Sequence, residues 1–276
     1  MTKVYIFTHP EIKNLWPDLN ITNNELAILT KDDGVLDTGS LISILRKELI
    51  ELGVRILENT KVKEVKNDGS VIMENNDVIK PSIATVIAAG PYVPKLLRNF
   101  RTKLPKVYLY RCQLHALKFV EQLKIPSLLW DCVNNFFLLM EHRDKALVGD
   151  GTIEIVNDIQ EGFITSENIK YKVISSLLLR IPKASNALLY NEWAAPCEVS
   201  CDGLPIIGKL DKTNVVVVYG LNGYGLMRGP ALGEITAYIA LNKSHNLASA
   251  LLAPSEDRGF EVGCVLELFN PSYYIL

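Results

Sequence analysis

The first 33 residues of this 276-residue chain contain no glycine, which excludes a glycine-rich phosphate-binding turn in that stretch. Histidine is scarce, with His9, His115, His142 and His245 isolated from one another. The five cysteines (Cys112, Cys132, Cys197, Cys201, Cys264) include one close pair, Cys197 and Cys201, but no second Cys/His pair at ligand spacing. That argues against a structural metal site, and an odd, scattered set in a chain this long does not form a disulfide framework. A reducing, cytoplasmic setting is expected. Neither sign of charge is in excess: 29 Lys+Arg against 31 Asp+Glu give a net charge of −2. The basic face that attracts nucleic acid or anionic lipid is therefore missing. No apolar run approaches the ~20 residues that span a bilayer, and MTKVYIF lacks the pattern of a signal peptide.

What is present is an ordinary globular composition, 48% hydrophobic and 22% charged, which excludes disorder, collagen and coiled coil. At roughly 150 residues per domain, the length predicts one large domain or two lobes. Asp37 and Thr38 precede Leu41, Ile42, Leu45, Leu49 and Leu52 at helical spacing, and Gly53 stops the run, so a helix of about 14 residues is expected. Alternating β-branched residues around Asn67-Asp68-Gly69 and Asn75-Asn76-Asp77 predict strands near 54–57, 61–66, 70–73 and 84–88. The last, IATVIAA, is apolar on both faces like a fully buried parallel strand, and it ends at Gly90-Pro91. From Lys106 to Gly149 longer alternating runs predict a largely antiparallel sheet. A helix follows from Ser166 and Glu167 to Ile181, stopped by Pro182, and then a strand from Leu188 to Ala195. A second buried strand, Val215 to Tyr219, runs into a loop carrying Gly220, Gly223, Gly225 and Gly229, followed by a helix with Leu232, Ile235, Ile239 and Leu241.

Strand, glycine loop and helix together form an arrangement in which close backbone approach and free helix N–H groups meet an anion or a polarised carbonyl. The same loop taken alone also fits a tight strand-to-helix connection. The order of four segments narrows the choice: GVLDTGSLISILRKELIELGVRILENTKVKEV, VIAAGPYVPKLL, CDGLPIIG and YGLNGYGLMRGPALGE. In that order, over about Gly34 to Leu241, the sequence resembles the D-amino-acid-oxidase-like family of FAD-dependent oxidoreductases, which holds glycine, sarcosine and dimethylglycine oxidising enzymes. The resemblance implies that Lys61-Val62 sets backbone against the adenine of FAD, and that Ala88-Ala89-Gly90 lies beside the pyrophosphate and ribityl chain. It implies that Asp202 to Gly208, with Pro205, borders the flavin. The loop Gly220, Asn222, Gly223, Tyr224, Gly225, Leu226 and Met227 would then put N–H groups near the pyrimidine end of the ring, where a reduced flavin carries negative charge.

The resemblance implies hydride transfer from the C–N bond of a small amine or amino acid (glycine, sarcosine, proline or D-amino-acid type) to the flavin. It has two departures. The family's N-terminal βαβ unit with GxGxxG is missing, so either a separate subunit supplies that half or the chain is a truncated, non-catalytic remnant or assembly subunit without flavin. The arginine that many members place shortly before Asp-Gly-Leu-Pro is also missing, where Trp193-Ala194-Ala195-Pro196 stands. Arg111 and Arg228 are left as candidate carboxylate partners, with Tyr110 and Tyr224 as pocket walls; each also fits a structural role. Cys112 and Cys201 have no base or helix start near them in sequence and read as inert. Leu177-Leu178-Leu179 and Leu251-Leu252 read as core or interface leucines. The expected fold is mixed α/β: a partial FAD-binding lobe (1–104 and 196–276) with an inserted, largely antiparallel substrate-binding sheet (105–195).

Overall fold

The computed structural model describes residues 3–100, 104–150, 154–200 and 203–245. Cys201, Asp202, Leu251, Leu252 and Cys264, all considered above, lie outside the described residues. In chain order the elements begin with β1 (Val4–Phe7), α1 (His9–Leu15), β2 (Ala27–Thr30) and α2 (Thr38–Glu51). Next come β3 (Val62–Val65), β4 (Val71–Met73), β5 (Val78–Ile79), β6 (Thr85–Ile87) and α3 (Val93–Leu96). The long strand β7 (Val107–Lys118) is followed by β8 (Leu128–Asp131), β9 (Phe136–Met140), β10 (Lys145–Asp150) and β11 (Glu154–Ile155). Last are α4 (Glu167–Arg180), β12 (Leu188–Ser200), β13 (Ile206–Lys209), β14 (Val215–Tyr219) and α5 (Gly225–Ala240).

The residues divide into two compact units. Unit 1 comprises 1–59, 114–150 and 167–192. Its sheet is antiparallel, with β10 between the end of β7 and β9, and β8 beyond β9. On α4, Ile169, Val173 and Leu177 recur every four residues, and this stripe closes a core with Leu117, Leu138 and Val148. Leu179, on the other side of the helix, is exposed. Gly149 is required here, because a Cβ would stand 2.3 Å from the Phe137 ring. The last helical residue, Arg180, is buried and donates to Asp131 Oδ2 (2.6 Å), the Asn20 carbonyl (2.8 Å) and Glu25. A hollow of about 930 Å³, lined by residues such as Trp16, Ala27, Leu129 and Trp130, opens beside this cluster.

Within unit 1, α2 has the expected length and start: Asp37 Oδ1 accepts from the N–H groups of Gly39 (3.0 Å) and Ser40 (3.3 Å). It does not have the expected burial. No residue of α2 is buried, and Ile42, Ile44, Leu45, Leu49 and Ile50 are all exposed. The strand expected near 54–57 is absent; Val54, Ile56 and Leu57 are exposed, and no strand among the described residues pairs with them. A strand is stabilised by a partner, and alternation in sequence does not supply one.

Unit 2 comprises 60–113, 151–166 and 193–276. Its central sheet has the order β13-β14-β6, with β13 antiparallel to β14 and β14 parallel to β6 through Val215↔Thr85 and Val217↔Ile87. Val215, Val216 and Val217 are fully buried, and the Tyr219 hydroxyl reaches the Pro105 carbonyl at 3.0 Å. The parallel pairing of β6 is as expected, but full burial is not: β6 is an edge strand and Val86 is exposed. A small meander, β3-β4-β5, packs Val65 into the same core as Ile87 and Val217. The helix α5 sets Leu232 and Ile235 against Ile207 of β13.

Candidate functional site

Strands β6 and β14 run side by side in the same direction, so their C-terminal ends lie at one edge of the sheet, the edge at which α/β sheets hold ligands. Each ends in a turn that bends the backbone into the left-handed region. After β6, Gly90 has φ 49; after β14, Gly220 has φ 67, Asn222 φ 57 and Gly223 φ 77. Side chains other than Gly, Asn and Asp resist that conformation, which explains the residue types at these positions. Asn222 is buried and stitches its loop to the preceding segment. Its Nδ2 donates to the Gly220 carbonyl (2.6 Å), and its Oδ1 accepts from the Ser200 N–H (2.8 Å). The Ser200 hydroxyl in turn donates to the Leu204 carbonyl (2.7 Å), just ahead of buried Pro205, and Gly208 is buried as well.

Between the two turns lies a residue that the sequence reading missed. Glu198, at the end of β12 and 6% exposed, accepts from the Gly220 N–H (3.0 Å) and from the Leu221 N–H. A Cβ on Gly90 would stand 3.3 Å from its other oxygen, so the carboxylate touches both strand ends. Burial pushes its pKa up, and these two N–H groups together with its own offset part of that rise. No cation partners it in the hydrogen bonds and ion pairs of the described residues. An acid four residues before Asp202 within a stretch of small and apolar residues was the available signal.

All the site residues expected from sequence fall in unit 2. Val62 is half-buried on β3 and packs against the core shared with Ile87, while Ala89 is half-buried at the first turn. Gly225, Leu226 and Met227 form the first turn of α5, whose N–H groups lack intrahelical acceptors; Leu226 and Met227 are exposed. Tyr224 precedes them, with the Arg228 guanidinium 5.0 Å from its ring centroid. Arg228 also donates to the Gly203 carbonyl at 3.2 Å. The Tyr110 hydroxyl lies 3.0 Å from where a Gly223 Cβ would stand, so a bare glycine is needed there on two counts. Arg111 is buried and held within the unit by an ion pair with Glu154 and a 3.1 Å hydrogen bond to the Glu161 carbonyl. The loop thus divides: Gly220 and Leu221 donate to an internal carboxylate, and the Gly225 to Met227 end begins a helix with no side-chain cap.

Cys112, read as inert, has a neighbour that sequence did not reveal. The Cys197 thiol donates to the Cys112 sulfur, which lowers the Cys112 pKa despite burial, and the same bond together with burial raises that of Cys197. Tyr110 donates to Cys197, and burial raises the Tyr110 pKa. Among the described residues no group of three or more His, Cys, Asp or Glu could hold a metal ion, and no helix is long and apolar enough to cross a membrane.

Comparison with known proteins agrees with this geometry. A family profile described as "FAD dependent oxidoreductase" (DAO) matches residues 3–239. Mouse (Mus musculus) peroxisomal sarcosine oxidase is 26% identical over 95 residues, 34% of this chain and 24% of that protein, so the match spans about a quarter of the relative. Glycine oxidase from Geobacillus kaustophilus superposes with TM-score 0.77 at 18% identity, over 92% of this chain and 67% of that one. L-proline dehydrogenase from P. horikoshii gives TM-score 0.75 at 20% identity, over 97% and 68%.

Proposed function

This chain belongs to the FAD dependent oxidoreductase (DAO) family, and from that premise we propose that it serves the oxidation of the C–N bond of a small amine or amino acid, of the glycine, sarcosine, proline or D-amino-acid type. The observation that carries this reading is the pair of parallel strand ends, β6 and β14, each closing in a left-handed turn, with the α5 N-terminus beside them. FAD would supply the hydride acceptor. The first-turn N–H groups of Gly225, Leu226 and Met227 would stabilise negative charge at its pyrimidine end, and the tight turn at Ala89 and Gly90 would leave room for its ribityl and phosphate portion. Val62 would lie at the adenine end. Of the two arginines, Arg228 is the better partner for a substrate carboxylate, because Arg111 already holds Glu154. Tyr110 and Tyr224 would flank the amine. We read 105–195 as the substrate side and 1–104 with 196–276 as the cofactor side.

We further propose that a second chain carrying the dinucleotide-binding half completes the site. Its support is the unburied apolar face of α2 and of Val54, Ile56 and Leu57. The unbridged Cys112, Cys132 and Cys197 support a reducing, cytoplasmic setting. One observation favours a second reading, a non-catalytic subunit: the Glu198 carboxylate already takes the Gly220 and Leu221 N–H groups. The test is a visible absorption titration of FAD with the purified chain, against free FAD and an unrelated protein. A flavin band that shifts and saturates is the expected outcome for the isolated chain, and bleaching with an amine or amino acid from a substrate panel is expected once the second chain is supplied. A spectrum that stays that of free FAD with the chain in excess would leave the non-catalytic reading standing for the isolated chain.

A further inference from the structure

Two thiols in unit 2 play no part in the reading above. Cys112 on β7 and Cys197 on β12 sit on neighbouring, hydrogen-bonded strands; both are unbridged and half-buried. Paired strands lie roughly 4.7–4.9 Å apart, so side chains that meet across such a pairing come within reach of a disulfide, whose Cα atoms stand about 4.4–6.8 Å apart. The thiols already touch, with Cys197 donating to the Cys112 sulfur and the Tyr110 hydroxyl donating to Cys197. This line of donors gives the two sulfurs different characters. Cys112, receiving a proton donor, is favoured as thiolate, and Cys197 stays protonated. The first is the character of an attacking thiol and the second that of a resolving one.

We propose that Cys112 and Cys197 are a modification site at which hydrogen peroxide forms an intramolecular disulfide. In the first step the Cys112 sulfur gives an electron pair to one peroxide oxygen and the O–O bond breaks. The departing hydroxide takes up the proton that Cys112 had released, forming water and leaving a sulfenic acid. In the second step the Cys197 sulfur attacks the Cys112 sulfur, the S–S bond forms and the S–O bond breaks. The oxygen leaves as a second water with the Cys197 proton. Two thiols and one peroxide thus become one disulfide and two waters, and no flavin takes part. Cys132 serves as a reference within the same molecule: it is exposed, but burial of its sulfur and the neighbouring Asp131 charge raise its pKa.

The experiment is treatment of the full wild-type chain with near-stoichiometric hydrogen peroxide, followed by alkylation and peptide mapping at timed intervals. The expected product is a Cys112–Cys197 cross-linked peptide, reversed by dithiothreitol. It should form about tenfold faster than Cys132 is oxidised, since a gain in thiolate fraction is partly offset by lower nucleophilicity. The variant Cys197→Ser should instead carry Cys112 to sulfinic acid, and Cys112→Ser should leave Cys197 alkylated. Any of three results on the wild-type chain overturns the proposal: Cys112 in sulfinic form beside a free Cys197, both thiols intact after Cys132 has reacted, or Cys112 bridged to Cys201 or Cys264. Because the decisive readout is on wild type, a variant that fails to fold does not blur it.

Discussion

Asp131 in unit 1 and Glu198 in unit 2 are both buried carboxylates, 4% and 6% exposed, yet their surroundings treat them in opposite ways. Burial would raise Asp131, but Arg180 and Asn134 outweigh it and hold the acid below the usual carboxylate range. Glu198 is raised, since the backbone N–H groups of Gly220, Leu221 and Glu198 itself offset only part of its burial. The difference separates scaffold from site. A carboxylate whose charge is matched by a guanidinium locks a helix end to a strand. One held by backbone N–H groups with no cation beside it is left with a raised pKa, and perturbed acids gather at functional sites.

The sharpest way to break this comparison is Asp131→Ala, which leaves buried Arg180 with Glu25 as its carboxylate partner. Loss of about 3–5 kcal/mol in urea unfolding is expected from a broken buried pair; a loss below ~1 kcal/mol would show that Glu25 alone suffices. A smaller loss, about 1–3 kcal/mol, is expected for Glu198→Ala, which strips the acceptor from the Gly220 and Leu221 N–H groups. The two acids should also give opposite limbs in a plot of stability against pH. Asp131, lowered from 3.8, contributes stability above that value that is lost as pH falls through its folded-state pKa. Glu198, raised from 4.5, makes stability fall as pH rises from 4.5 through its folded-state pKa, after which the curve is flat. Asp131→Asn should flatten only the acid limb and Glu198→Gln only the upper one; thermal melts across pH would check both.

The same two acids show what sequence could reveal. Local chemistry was legible: Asp37 caps α2, Gly53 ends it, Pro182 stops α4, and the valine run of β14 meets glycine where a turn must follow. That β6 belongs to a parallel pairing was legible as well, but its partner β14 and its place at the sheet edge, with Val86 exposed, were not. What depended on distant partners was not. Arg180 and Asp131 are 49 residues apart, Arg111 and Glu154 are 43 apart, and Cys112 and Cys197 are brought together only by the pairing of β7 with β12. The stretch at 54–57 failed for a related reason, since its alternation promised a strand and the described chain offers it no neighbour.

The stretch from 31 to 60, in which every residue but Leu41 is exposed, bears on how the protein would fare in a cell. Fourteen residues is the length at which a solitary helix is marginal in water, and no burial in the described chain adds to α2. Its order is therefore thermodynamically uncoupled from the melting of either core. Exposed apolar segments of this kind are what chaperones and proteases survey. The steady amount of the protein would then follow the supply of whatever covers this helix more closely than the stability of its sheets, and synthesis in excess of that cover would be cleared.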